Sequence, residues 1–237
     1  MIFKVDKNEF VNKLLVPASK LSDNLHLIIH QNVIKTFVSS ADNSTVLIVK
    51  ILCKSDASGD CLLPDCKTFL RLFSSIEQEQ IELVTDNNSI NFNGDKIKFK
   101  YHLLDDSYHS TKKSLSEEKL NNLNFDTTFS LNKRGFSEIC KFNSIIPDAE
   151  KLYFFTKSKQ VFAKLGDEEK THTNELTTHV SDCFEGSDIS VNIPINIQSI
   201  LLMSFADDNI TVKINHQLKV LKFETQSGFY IVSGLVK

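Results

Sequence analysis

Phe3-Lys4-Val5-Asp6-Lys7-Asn8-Glu9-Phe10 is answered 126 residues later by Phe129-Ser130-Leu131-Asn132-Lys133-Arg134-Gly135-Phe136. In each stretch two apolar residues stand two apart, as on one face of a strand. A short polar side chain, Asp6 or Asn132, then sits where a helix N-cap belongs. A Lys and a Phe follow at matching positions. Farther on, Phe37 and Phe162 keep an offset of 125, and Leu63-Pro64 and Ile193-Pro194 an offset of 130. Identities are few, but order and spacing hold along the chain. The expectation is therefore a duplicated unit of strand, helix, strands, helix and strands, an α+β fold.

The segments between these anchors fit that plan. Lys96-Ile97-Lys98-Phe99-Lys100-Tyr101 is apolar at every second position, and Val161-Phe162-Ala163-Lys164 and Val220-Leu221-Lys222-Phe223 are similar. Asp, Asn, Gly and Ser clusters bound such runs, the pattern of antiparallel strands joined by short turns. Four segments read as helices: Lys7 to about Val16, Pro64 to Ser75, Lys133 to Ile145 and Pro194 to Ser204. Pro64 and Pro194 suit a first helical turn. The polar stretch from Asp105 to Asn124 reads as a connector. The predicted domains are residues 1–108 and 125–237, with the connector at 109–124.

Composition narrows the function. The 237 residues carry a net charge of −3, with 41% hydrophobic and 24% charged residues, an ordinary globular balance. A tail-like nucleic-acid binder would be strongly basic. Only seven Gly are present, and neither GxGxxG nor GxxxxGK[ST] occurs. The N-terminal MIFKVDKNEF has no run of signal-peptide length, and no segment approaches the roughly 20 apolar residues of a membrane span. Five scattered Cys predict free thiols in a reducing, intracellular setting.

Candidate chemical sites have plainer explanations. Cys53, Cys61 and Cys66 fit no zinc spacing and have no His nearby, so they read as buried apolar residues. His26 and His30 share one strand face, which is two ligands at most. Cys140 lies in an apolar helical pattern, so core packing explains it better than nucleophilic chemistry. Glu168-Glu169 and Asp207-Asp208 read as solvated turns. No catalytic residue, metal or cofactor is expected.

The second repeat, Phe136-x-x-Ile139-Cys140-Lys141-x-x-Ser144-x-Ile146-x-Asp148, is followed by Gln160-Val161-Phe162-Ala163 and Gly166-Asp167. The first contains Ser40-Ala41-Asp42-Asn43-Ser44-Thr45-Val46. With the duplication, these segments resemble DNA polymerase sliding clamps over essentially the whole chain. The nearest type is the two-domain clamp, as in proliferating cell nuclear antigen and the T-even-type phage clamps. Its length and lack of a polar C-terminal tail favour the phage-type branch, hence the cytoplasm of a host cell.

The resemblance implies a processivity factor with antiparallel sheets outside and helices inside a ring. A two-unit chain then implies a homotrimer with head-to-tail contacts. Strands at Ile97 to Leu103 and within Thr171 to Cys183 are candidate edges for that contact. Implied partners are double-stranded DNA, bound without regard to sequence, a DNA polymerase and a clamp loader; no membrane is implied. Lys13, Lys20, Lys67, Arg71, Lys133, Arg134 and Lys141 are the candidate DNA-binding residues. The helix regions 7–20, 65–77, 133–148 and 194–206 carry +2, 0, +1 and 0, which leaves −6 on the rest of the chain. Candidate partner-binding residues are Thr45, Val46, Ile48, Leu115, Leu120, Tyr230, Ile231 and Val232. Two alternatives stand beside this reading: a clamp-like factor working as a monomer or dimer, and a small cytosolic Cys-dependent hydrolase.

Overall fold

Alternating apolar residues become eighteen short strands in a computed structural model, which describes residues 1–86, 88–105, 117–167, 174–203 and 209–235. The chain forms two compact units, Met1–Ser114 and Leu115–Lys237. Unit 1 runs β1 (Ile2–Asp6), a π-helical stretch (Glu9–Leu15) continuing as α1 (Val16–Leu21), β2 (Leu25–His30), β3 (Val33–Ser39), β4 (Thr45–Leu52), β5 (Lys54–Ser55) and β6 (Gly59–Leu63). It ends with α2 (Cys66–Ser74), β7 (Gln80–Thr85), β8 (Ser89–Asn93) and β9 (Lys98–His102). Unit 2 runs α3 (Glu117–Asn121), β10 (Thr127–Leu131), α4 (Lys133–Ile145), β11 (Lys151–Lys157), β12 (Gln160–Leu165), β13 (Leu176–Ser181) and β14 (Glu185–Gly186). It ends with β15 (Ile195–Asn196), α5 (Ile197–Leu201), β16 (Ile210–Asn215), β17 (Val220–Thr225) and β18 (Gly228–Ser233).

The duplication holds strand for strand. Unit 1 orders its strands β5-β1-β7-β8-β9 and β6-β2-β3-β4; unit 2 orders them β14-β10-β16-β17-β18 and β15-β11-β12-β13. The described pairings are antiparallel, and equivalent residues keep equivalent partners: Phe3 lies opposite Leu83, and Phe129 opposite Val212. The fold is thus α+β, as expected.

Both first helices start as the sequence predicts. The Asp6 carboxylate accepts the Glu9 N–H at 3.0 Å, and the Asn132 side chain accepts the Gly135 N–H at 2.8 Å. Other boundaries differ from the expected ones. The first helix runs on to Leu21, through Pro17. Proline in an α-helix loses a hydrogen bond and crowds the carbonyl four residues back; here the wider π turn precedes it. The second and fourth helices begin after their prolines, at Cys66 and Ile197. Their starts are set by Asp65, which accepts the Thr68 N–H at 2.9 Å, and Asn196, which accepts that of Gln198 at 2.8 Å. The predicted end of the fourth helix, Ser204, lies outside the described residues; α5 ends at Leu201.

Phenylalanine fills both interiors. In unit 1, Phe10, Phe69 and Phe73 are fully buried, with ring centroids 4.8–6.4 Å apart. In unit 2, Phe154 lies between Phe129 and Phe223 at 5.3 and 6.4 Å. Burying each such ring contributes about 1.5–3 kcal/mol. Phe136 departs from the repeat: it is half-buried, where its counterpart Phe10 is fully buried.

Candidate DNA-facing and partner-binding residues

The helices divide apolar from basic residues by spacing. On α2, Cys66, Phe69 and Phe73 are buried, while Lys67 and Arg71, four apart, are exposed on one flank. On α4, Gly135, Ile139 and Phe142 are buried; Arg134, Glu138 and Lys141, spaced four and three, follow the opposite side. Gly135 allows this helix to sit tightly on β13: a Cβ there would meet the Cα of Val180 at 3.0 Å.

The seven predicted cations differ in availability. Among the described residues, Lys20, Arg71, Lys133 and Arg134 are exposed and make no ion pair. Lys67 pairs with Asp23 at 2.8 Å and Lys141 with Glu138 at 2.7 Å. Exposed pairs of this kind are worth about 0–1 kcal/mol, so a phosphate can compete for either lysine at little cost. Lys13 is different. Its side chain is only 17% exposed and reaches Glu9 at 2.9 Å. Lys7, the other cation of that helix, donates to the carbonyls of Ser74 and Ile76 at the end of α2, where the helix dipole favours a positive charge. The fourth helix, α5, carries no charge; its Gln198 amide donates to the Asn143 side chain at 3.4 Å.

The predicted partner-binding residues are strand residues with little exposure. Thr45, Val46 and Ile48 lie in a run of five consecutive buried residues on β4. Tyr230, Ile231 and Val232 form a similar run on β18. Consecutive strand residues point to opposite faces, so both faces are covered there. Leu120 is buried on α3, and Leu115 lies outside the described residues. The turn before β4 is tightly held. Asp42 accepts the hydroxyls of Ser40 and Ser44 at 2.6 and 2.9 Å and the Ser44 N–H at 3.1 Å. These bonds, the Ser40 hydroxyl's first, hold its carboxyl below the usual range. Replacing Val46 or Ile231 with Glu is expected to lower the unfolding free energy by at least about 3 kcal/mol, because an unpartnered buried carboxylate costs that much. A urea midpoint unchanged from the parent would show that these side chains are open to solvent.

No cysteine has the surroundings of a nucleophile. Burial pushes the Cys61 and Cys66 thiols up to about 12, and raises that of Cys140 as well. Among the described residues no group of three potential metal ligands occurs, and no helix is long and apolar enough to cross a membrane. The carboxylate runs at 168–169 and 207–208 lie outside the described residues.

Each unit also ends in a substantial edge strand. Among the described residues β9 pairs only with β8 and β13 only with β12. These are the two edges expected from the sequence.

Two tandem copies of one antiparallel α+β unit, each presenting basic helix flanks, define the class of fold. Solved structures give it a name. The chain aligns over its full length, at 12% identity and a TM-score of 0.79, with A. fulgidus PCNA bound to the C-terminal region of FEN-1, and covers 99% of that protein. It aligns over its full length with the Bacillus subtilis DNA polymerase sliding clamp (12% identity, TM-score 0.77, 64% of that chain). A Helicobacter pylori beta clamp bound to a DNA ligase peptide aligns likewise (15% identity, TM-score 0.70, 67% of that chain). The chain thus spans about two thirds of the length of the bacterial clamps it matches. No protein-family model and no curated protein sequence matches it. The fold is that of the DNA polymerase sliding clamps.

Proposed function

We propose that this chain is a sliding clamp. Three copies close head to tail into a ring of six units that encircles duplex DNA and tethers a DNA polymerase. The observation that carries the reading is the strand-for-strand duplication, because the same length of fold makes up nearly all of the archaeal PCNA. The cations most available to DNA are Lys20, Arg71, Lys133, Arg134 and Lys141, with Lys67 after release from Asp23 and Lys13 least. Contacts from such side chains to phosphates orient a ring without reading bases. A topological link needs no tight grip, and the mild net charge of the helices fits sliding better than a strongly basic lining would.

The chain acts in this reading as a scaffold, not an enzyme, and the raised thiols speak against the hydrolase alternative. Domains at 1–108 and 125–237, joined through 109–124, fit the proposal. Short peptides with aromatic or aliphatic anchors would supply its contacts, from polymerase and loader alike. The clamps bound to a DNA ligase peptide and to FEN-1 support that mode. Their docking is proposed at Thr45, Val46 and Ile48 on β4, at Leu120 with the connector's Leu115, and at Tyr230, Ile231 and Val232 on β18. Light scattering at micromolar concentration is expected to give about three times 26.9 kDa. A monomer at every concentration would leave the non-ring processivity factor as the better reading.

A further inference from the structure

The two open edge strands carry opposite charge. Segment 96–102 on and before β9 holds Lys96, Lys98 and Lys100 and no acid. Lys98 and Lys100 are exposed, while Phe99 and Tyr101 turn inward against Phe69. Segment 174–188, spanning β13 and β14, holds Glu175, Asp182, Glu185 and Asp188 and no Lys or Arg. All four acids are exposed. Lys164, across from Thr177 on the neighbouring strand, is drawn over the Tyr153 ring at 5.7 Å. Each strand leaves one side without a main-chain partner among the described residues, and neither contains a proline. Exposed edges of this length are covered or protected in stable proteins.

We propose that β9 of one copy and β13 of the next form an ion-paired seam, so that ionic strength controls whether the ring is shut. This rests on the ring reading and adds what holds the ring closed. Three lysines facing four carboxylates steer the edges together and reject the like-charged pairings β9–β9 and β13–β13. That rejection enforces head-to-tail order, since a two-fold contact would set like charges against each other. Main-chain pairing then supplies adhesion that salt does not screen. The charged part is exposed, so it weakens as the screening length falls from about 10 Å at 0.1 M salt to about 3 Å at 1 M.

The test uses the full chain and sedimentation over a concentration series, at about 0.1 M and about 1 M sodium chloride. The parent is expected to assemble at lower salt, with its dissociation constant rising roughly tenfold or more at the higher one. Lys98→Glu with Lys100→Glu should weaken assembly by a similar factor at low salt, as should Glu175→Lys with Asp182→Lys. All four changes in one chain restore complementarity and should restore assembly, which also shows that the variants fold. Mixing the two double variants is a sharper check. Only alternating neighbours are then matched, so an odd-membered ring cannot close with every seam satisfied. Assembly indifferent to salt and to both reversals would overturn the seam and leave the clamp reading intact. Weakening that the fourfold variant does not reverse would overturn it too. A parent that stays monomeric in every condition would remove the ring itself, and the seam with it.

Discussion

Replacing Phe69 with Ala is expected to cost about 3–5 kcal/mol, the range for removing a well-packed aromatic side chain. Its ring is fully buried and meets four others: Phe10 at 6.4 Å, Phe73 at 5.5 Å, Phe99 at 6.5 Å and Tyr101 at 4.9 Å. Those neighbours come from the first helix, α2 and β9, so the hole left behind would touch three elements together. Relaxation is limited, because the Tyr101 hydroxyl is pinned. It donates to the Asp65 carbonyl at 2.7 Å and accepts the Asp65 N–H at 2.9 Å. Burial pushes that hydroxyl up to about 12, so it stays protonated at neutral pH and keeps both bonds. Phe155→Ala is the comparison. That ring is half-buried, stacked only on Phe162 at 5.5 Å, and should cost distinctly less. Urea midpoints with unchanged slopes would read the difference as stability. Equal losses for the two variants would mean that the first unit is not held by this cluster.

What the sequence disclosed and what it hid follow from the range of the forces involved. The repeat was legible because Phe3, Asp6, Phe129 and Asn132 act locally: a strand face, a cap and a helix start lie within ten residues. Helix ends were less legible. Pro17 reads as a stop, yet the helix passes it on a π turn that no local pattern announces. Pro64 and Pro194 read as helix starts, but Asp65 and Asn196 hold the caps. The sheet order could not be read at all, since β1 joins β7 across 74 residues of sequence at the pair of Asp6 with Gln80.

The same division applies to the candidate site. Arg71, Arg134 and Lys141 could be placed opposite apolar neighbours by helical spacing alone. The fates of Lys7 and Lys13 could not, because they depend on the carbonyls of Ser74 and Ile76 and on the Glu9 rotamer. Alternation on β18 suggested a half-open strand at Tyr230 to Val232. The structure buries all three, an outcome of tertiary packing that period-two spacing does not contain.

Removing four of the available cations should disable the ring on DNA without dismantling it. Lys20, Arg71, Arg134 and Lys141 are all exposed, and only Lys141 is ion-paired among the described residues, to a neighbour on its own helix. Their replacement by Ala should change folding stability by less than about 0.5 kcal/mol per site, and Ala is the better helix former at each. In a trimer the change removes twelve charges from the helices. Phosphate contacts account for sequence-independent binding, so affinity for short open duplex should fall. The slope of log affinity against log salt should become shallower by about 0.9 for each phosphate no longer neutralised. A control needs the same loss of charge elsewhere: Lys54, Lys157, Lys159 and Lys219 are exposed on strands and turns. Replacing those four with Ala alters net charge equally but leaves the helices intact. On a primed circular template with polymerase and loader, the helix variant should make shorter products, increasingly so at higher salt, while the control stays near the parent. Equal product lengths for both variants at equal trimer concentration would mean that the helices do not face DNA. Equal losses in both would mean that net charge, and not its position on α1, α2 and α4, governs the interaction.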